Sequence, residues 1–231
     1  METGDLAQWR QADAGGVFNT ASGRAAAVRG PARSGRFSLA LSISGADGRG
    51  EVQAARIFRW GTRTGAALPE AGWYGAWFYF PRRYTDLRWW NIFQWKTKIA
   101  DDRTDPTYVL NVDNRGGWRG PMYLELWSAI DQRTVAASRV NLPVGRWVHL
   151  GAFYRWSEGR WGRVTVLQDG RPVMAASGVR TAYPSADRNA RQWAVGNYTD
   201  RVRPPDATIY VDDAAVRAAR TPAAAAGRVA R

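Results

Sequence analysis

The sequence predicts an all-β protein built as a two-sheet antiparallel sandwich. Short runs of aliphatic, β-branched and aromatic residues recur along the chain, and glycine, proline, asparagine and aspartate separate them. No run shows convincing 3.6-residue apolar spacing of the kind that marks an amphipathic helix. Many short strands with turn signals between them are typical of sandwiches rather than of α/β folds. A chain of 231 residues is long enough for one such domain.

The first clear strand runs from Arg36 to Ile43, where Leu39, Leu41 and Ile43 repeat with a period of two. Nine similar runs follow: Glu51 to Phe58, Trp73 to Phe80, Trp90 to Lys96, Thr107 to Asp113, Tyr123 to Trp127, Trp147 to Trp156, Gly162 to Gln168, Gln192 to Tyr198 and Thr208 to Val216. The pair Asp169-Gly170 lies between apolar runs and predicts a tight hairpin. We therefore expect one domain over residues 1–218, with a flexible alanine- and arginine-rich tail over 219–231.

Composition narrows the possible partners. The 33 Lys and Arg residues exceed the 20 Asp and Glu residues by 13, so the protein attracts polyanions. Its arginines are scattered through turns rather than clustered on one helix or on a stacking platform, which argues against nucleic acid. No run approaches the roughly 18 apolar residues of a membrane span, so no membrane partner is expected. Without cysteine, disulfides, thiolate metal sites and cysteine nucleophiles are excluded.

Alternation along each strand separates a core face from an open face. In the run from Trp90 to Lys96, Phe93 and Trp95 suit the core, which leaves Ile92, Gln94 and Lys96 on the other side. Across all strands the polar and aromatic residues of the open face are Arg49, Glu51, Gln53, Gln94, Lys96, Asn111, Asp113, Tyr123, Glu125 and Tyr198. Such a mixture suits sugars, which combine hydroxyls with apolar ring faces. An antiparallel sheet with one solvated face would also carry polar residues there.

Several segments resemble the jelly-roll polysaccharide lyases of the concanavalin A-like fold, namely the heparin lyase I-like, glucuronan lyase and alginate lyase groups. The segments are Glu2 to Trp9, Trp73 to Pro81, Asn91 to Lys96, Gly145 to Trp147, Arg155 to Ser157 and Tyr210 to Asp213. The resemblance implies a jelly roll with a concave ligand-binding face. It also implies an enzyme that cleaves an anionic, uronic-acid-containing polysaccharide by β-elimination. We expect a secreted monomer. No signal peptide is recognisable in the opening segment of this sequence, residues 1–5.

Three segments match the catalytic strands of the alginate lyases in that group: Arg49 to Gln53, Gln94 to Lys96 and Val195 to Tyr198. Gln53 stands where those lyases have a second arginine, and Lys96 stands where they have a histidine. The departure at Lys96 puts the usual base in question.

Elimination needs a group that neutralises the uronate carboxylate, a base, and an acid for the leaving oxygen. The resemblance assigns neutralisation to Gln94 with Arg49 or Lys96. It makes Tyr198 the base, the acid or both, with Lys96 as the other candidate base. Lys96 could instead be a solvated strand charge that attracts acidic glycan, and Tyr198 an ordinary strand tyrosine. The remaining open-face residues are expected to bind substrate: Glu51, Gln53, Asn111, Asp113, Tyr123 and Glu125. The single histidine, His149, is expected to be a structural strand residue.

The chemistry requires no cofactor, but related jelly rolls often hold a structural calcium ion between their first and last strands. Glu2 with Asp212 or Asp213 matches those positions, and carboxylate oxygens suit calcium. Solvated terminal carboxylates would look the same in sequence.

Two other functions fit the same fold. A non-catalytic carbohydrate-binding module is favoured by the missing histidine and by the 13 tryptophans. A glycoside hydrolase would need two carboxylates roughly 5 to 9 Å apart on the open face, and Glu51 and Glu125 are the candidates. These alternatives stay open at the level of sequence.

Overall fold

The computed structural model is a two-layer β-sandwich, and it describes residues 2–9, 17–60, 67–86, 88–98, 104–114, 120–184 and 191–222. A short 3-10 helix over Ala7–Trp9 precedes the strands. The strands are β1 (Val17–Thr20), β2 (Arg24–Val28), β3 (Ser38–Ile43), β4 (Gln53–Trp60), β5 (Ala71–Tyr79), β6 (Thr85–Asp86), β7 (Trp90–Lys98), β8 (Thr104–Asp113), β9 (Tyr123–Ser128), β10 (Arg133–Ala137), β11 (Trp147–Arg155), β12 (Gly162–Gln168), β13 (Arg171–Val179), β14 (Gln192–Thr199), β15 (Val202–Arg203) and β16 (Ala207–Ala218).

Two seven-stranded sheets face each other. The first sheet has the order β1-β4-β14-β7-β8-β9-β10, and the second has the order β13-β12-β11-β5-β16-β3-β2. A small separate sheet pairs β6 with β15. Every pairing between these strands is antiparallel. The all-β, two-sheet antiparallel jelly-roll sandwich expected from the sequence is confirmed.

Aromatic side chains fill the space between the two sheets. The rings of Trp95 on β7 and Tyr154 on β11 stack with centroids 4.9 Å apart and planes 8° apart. Phe93 on β7 meets Phe78 on β5 edge-to-face at 5.3 Å. All four side chains are essentially inaccessible to solvent. Large rings supplied alternately by the two layers bury much apolar area and therefore hold the sheets together.

All ten strands expected from apolar alternation are present, with ends shifted by a few residues. The Asp169-Gly170 hairpin is confirmed between β12 and β13, and both residues have positive φ, 49° and 76°. That backbone matches the right-handed twist of the flanking strands. The four strands of the main sheets that were not expected, β1, β2, β10 and β13, are all edge strands.

The end of the domain lies slightly beyond residue 218. The Ala219 amide donates to the Ala71 carbonyl at 3.1 Å, and Ala219 packs against Trp73 and Leu167. Most of the expected flexible tail, residues 223–231, lies outside the described residues. Within the described ranges, no helix is long and apolar enough to cross a membrane.

His149 lies on β11, on the outer face of the second sheet. Its ring packs between Trp73 and Trp77, with centroid distances of 5.5 and 5.1 Å, and only 6% of the residue is exposed. Burial lowers the pKa of His149 from 6.5 to about 4, against the smaller opposing effects of Asp169 and Asp213. The imidazole is thus on the other sheet from Gln94 and Tyr198, in agreement with a structural role.

We expect His149 to make the protein less stable as the pH falls from 6.5 to 4. In that window the unfolded chain binds a proton on His149 and the folded chain does not, so acid favours unfolding by up to about 3 kcal/mol. The free energy of unfolding, measured by urea denaturation, should therefore fall more steeply in wild type than in His149→Gln. Parallel curves for the two proteins across this window would contradict the assignment.

Candidate active site

The open face of the first sheet carries a cavity of about 510 Å³, here called the groove. It crosses β14, β7, β8, β9 and β10, and its lining is Arg88, Trp89, Asn91, Gln94, Pro106, Val109, Asn111, Glu125, Trp127, Thr134 and Tyr198. Four predicted site residues meet there: Gln94, Asn111, Glu125 and Tyr198. Alternation predicts their position on the open face, because other residues of the same strands lie in the core, namely Trp95, Leu110, Leu126 and Val195.

A bulge in β7 builds the floor of the groove. Asn91 and Phe93 oppose adjacent residues of β8, so Ile92 is an extra residue in this strand. Ile92 turns into the core, where it is fully buried, and the expectation that it shares the open face with Gln94 was wrong. Because of the extra residue, Asn91 and Gln94 lie on the same face although they are three positions apart.

The amide side chains on this floor form a hydrogen-bonded series. Gln94 Nε2 donates to Asn91 Oδ1 at 2.9 Å, and Asn91 Nδ2 donates to Asn111 Oδ1. The Gln94 carbonyl oxygen accepts a bond from Arg56 Nη1 at 3.2 Å. Gln94 is only 3% exposed, and this bond polarises its amide toward the groove. The series therefore connects a buried cation to the polar floor.

Arg56 is the cation that sequence reasoning missed. It lies on β4, on the face opposite Ala55 and Ile57, and its guanidinium carbon is 4.2 Å from the centroid of the Tyr198 ring. With 7% of the residue exposed, burial lowers the pKa of Arg56 from 12.5 to about 10, while Tyr198 acts in the opposite direction. Arg56 is charged at neutral pH and lies behind Gln94 and Tyr198. An arginine at the centre of a strand, between two core residues, was the signal available in the sequence.

Gly196 makes room for Arg56. It lies on β14 directly opposite Arg56, and a β-carbon built there would come within 2.7 Å of Arg56 Cγ. Real β-carbons essentially never approach so closely, and Cγ cannot swing away as the end of the side chain could. The glycine thus allows the arginine to cross β14 toward Gln94 on β7.

Three predicted site residues, Arg49, Glu51 and Gln53, lie away from the groove. Arg49 and Glu51 are exposed in the turn before β4. Gln53 begins the strand but has the same alternation as core residues Ala55 and Ile57, and its Oε1 accepts a bond from the backbone amide of Ser22. None of the three lines the groove, because the strand begins later than expected and its open-face arginine is Arg56.

Lys96, Asp113 and Tyr123 lie on the predicted strands but outside the groove lining. Lys96 is one side-chain position beyond Gln94, and its Nζ is 5.8 Å from the centroid of the Phe58 ring. Asp113 and Tyr123 pair across β8 and β9, next beyond Asn111 and Glu125. These three residues flank the groove rather than forming it.

Two tryptophans and an arginine that the sequence did not single out complete the groove. Trp89 meets the Tyr198 ring edge-to-face at 4.6 Å, and Trp127 lies at the β9 side. Arg88 forms an ion pair with Asp200 at 2.7 Å on the rim. The groove therefore combines aromatic surfaces, amides and positive charge, which is the chemistry that an anionic sugar chain requires.

The two predicted calcium ligands share a different cavity, of about 440 Å³. Glu2 lines it and accepts a bond from the Arg36 amide, and Asp212 lines it and accepts bonds from the amides of Arg33, Ser34 and Asp213. These oxygens suit calcium chemically, but backbone amides already engage both carboxylates. Among the described residues, no group of three or more His, Cys, Asp or Glu side chains is arranged to hold a metal ion.

The model of one protein family, described as polysaccharide lyase, matches residues 1–215. The chain belongs to the polysaccharide lyases. The match covers nearly all of the described sandwich, including every strand that borders the groove, so the protein is a lyase. A comparison with curated proteins finds no match.

Solved structures of polysaccharide lyases share the fold. An endo-β-1,4-glucuronan lyase from the fungus Trichoderma reesei aligns with a TM-score of 0.69 and 16% identity, over 94% of this chain and 93% of that one. The alginate lyase Aly36B aligns with a TM-score of 0.59 and 13% identity, over 90% and 87%. An alginate lyase from Aplysia kurodai aligns with a TM-score of 0.57 and 9% identity, over 84% and 87%.

In this polysaccharide lyase, we expect Gly196→Ala to displace Arg56 and to lower kcat/KM on the order of 100-fold, since misplaced groups near reacting atoms cost about that much. Gly50→Ala is the control, because a β-carbon at Gly50 meets no atom within 4 Å. The measurement is the rate of unsaturated-product formation on a polysaccharide that the wild type cleaves, together with Tm. Equal activity of the two variants would show that the position of Arg56 is unimportant.

Proposed function

We propose that this lyase cleaves a uronic-acid-containing polysaccharide by β-elimination in the groove, with Tyr198 moving the protons. The observation that carries the proposal is the meeting of Gln94 and Tyr198 in the groove with Arg56 in contact with both from behind. The names of the structural neighbours, a glucuronan lyase and two alginate lyases, support this substrate class. The net charge of +13 supports an anionic polymer as well.

Removal of the C5 proton of a uronate leaves negative charge on the adjacent carboxylate, which becomes enolate-like. Gln94 is placed to donate to that carboxylate from the floor of the groove. Arg56 does not line the groove but donates to Gln94, so its charge acts on the carboxylate through the amide. Donors held in place before the reaction stabilise such charge at little reorganisation cost.

Tyr198 lies on the groove wall, and its hydroxyl can both accept and donate a proton. As phenolate it takes the C5 proton, the C4–O bond breaks as the C4=C5 double bond forms, and the phenol returns the proton to the leaving glycosidic oxygen. The Arg56 guanidinium carbon is 4.2 Å from the centroid of the Tyr198 ring, so its positive charge lies beside the group that moves the protons. Tyr198 thus ends each cycle in the state in which it began.

Two other functions have less support. Among the described groove residues, Glu125 supplies the only carboxylate, whereas a glycoside hydrolase needs a pair. A binding module could use Trp89 and Trp127, but it would not need a buried arginine, whose desolvation is costly. The buried cation behind the tyrosine favours catalysis. Polymeric substrates also favour a secreted enzyme.

Replacement of Tyr198 by Phe should lower the rate of cleavage by roughly 100- to 10,000-fold, the usual contribution of proton transfer by a side chain. The matched control is Tyr123→Phe, which removes a hydroxyl from the same sheet outside the groove. Both variants are incubated with alginate, glucuronan and heparin, and the ultraviolet absorbance of the unsaturated product is followed. If Tyr198→Phe cleaves as fast as Tyr123→Phe, the proposed role of Tyr198 is wrong.

We also propose that calcium binds in the cavity that Glu2 and Asp212 share. Bound calcium would attach the N-terminal segment to β16, so Tm should rise with millimolar calcium over its value in EDTA. Glu2→Gln should abolish the rise, and because Glu2 is exposed the variant should fold normally. Identical Tm values of the wild type in calcium and in EDTA would exclude this site.

A further inference from the structure

A second polar cavity of about 510 Å³ lies at one edge of the sandwich, outside the groove. The turn between β9 and β10 contributes to it, together with the β11–β12 hairpin and the end of β13. Its lining carries three arginines, Arg133, Arg160 and Arg180, and two carboxylates, Asp131 and Glu158. We call it the edge cavity. Its cations outnumber its anions by one.

The three arginines of the edge cavity are available to bind a ligand. All are exposed, and among the described residues the one ion pair within 4.0 Å is Arg88 with Asp200, at the groove. Asp131 and Glu158 line the same cavity without pairing with any of the three. Three guanidinium groups around one concavity present a planar, multidentate surface for carboxylate or sulfate groups.

An exposed aromatic ring lies beside these cations. Trp161 is 78% exposed, the largest exposed fraction of any large apolar side chain among the described residues. It follows Arg160 in the hairpin, and a β-carbon at Gly159 would lie 3.9 Å from its Cδ1. A largely exposed indole beside a basic cavity is a combination that suits the apolar face of a charged sugar.

The edge cavity lies beside one end of the groove. Thr134 lines the groove and the preceding residue, Arg133, lines the edge cavity, so the two cavities adjoin the same end of β10 from its two faces. The groove crosses the sheet from strand to strand, and β10 is the last strand of that sheet. A polymer lying in the groove therefore leaves the sheet over β10, next to the edge cavity.

We propose that the edge cavity is an outer binding site for the same anionic polysaccharide chain that the groove cleaves. Arg160 and Arg180 pair with acidic groups of sugar units beyond β10, and Trp161 packs against one of their rings. The inference rests on the proposed function, since it takes the chain in the groove to be an anionic glycan. It predicts that long chains bind more tightly than the groove alone allows.

The test compares polymers with short fragments. Arg160→Gln/Arg180→Gln and Trp161→Ala are each made in the Tyr198→Phe background, and calorimetry gives their affinity for alginate and glucuronan and for the tetrasaccharides of both. Affinity for the polymer should fall roughly three- to tenfold, while affinity for the tetrasaccharide stays unchanged. The control is Arg24→Gln/Arg171→Gln, which removes two exposed charges elsewhere and should leave both affinities unchanged.

Three results would overturn the inference: unchanged polymer affinity, an equal loss for tetrasaccharide and polymer, or an equal loss in the control pair. Single-stranded DNA is added as a competitor of the polymer. If DNA displaces the polymer from proteins that keep Arg160 and Arg180, but not from the variant that lacks them, the edge cavity is a general polyanion surface instead. Failure of the proposed function has a different result. Tyr198→Phe would then still cleave the polysaccharide, whatever effect the substitutions in the edge cavity have on affinity.

Discussion

The extra residue in β7 is the constraint on which the groove depends. A regular strand would send Asn91 and Gln94 to opposite faces, because their separation is an odd number. The bulge brings both amides to the open face and at the same time gives the core Ile92 in addition to Phe93. Arg56 then reaches Gln94 across Gly196, so a local irregularity in one strand and a missing side chain in another assemble the polar floor. Such devices are typical of functional sites.

The sequence was sufficient to predict the interior strands of both sheets but not their edge strands. Strands β5, β7 and β11 are covered on both sides by neighbours, and their rows of aromatic and aliphatic residues made them recognisable. Strands β1, β2, β10 and β13 each have a neighbour on one side only. All of β2 and all but one residue of β13 are exposed or half-exposed, so burial does not enforce an apolar alternation there. Edge strands are recognised from their partners more easily than from their own sequence.

The same reasoning explains which of the predicted residues line the groove. Gln94, Asn111, Glu125 and Tyr198 each follow or precede a core residue of unmistakable character, so their face was determined. Arg49 was chosen from a short motif, and the strand begins only at Gln53. A shift of one residue in the alternation moves every side chain to the other face. The bulge at Ile92 and the passage of Arg56 over Gly196 depend on three neighbouring strands, and no single segment encodes them.

The order of the strands has a consequence for biosynthesis. In the first sheet, β14 lies between β4 and β7, and in the second sheet β16 lies between β5 and β3. Both interior positions are thus filled by segments from the last fifth of the chain, and each sheet remains in two pieces until those segments emerge from the ribosome. Topologies dominated by such distant pairings fold slowly. The newborn protein therefore exposes open strand edges for most of its synthesis, until the final strand arrives.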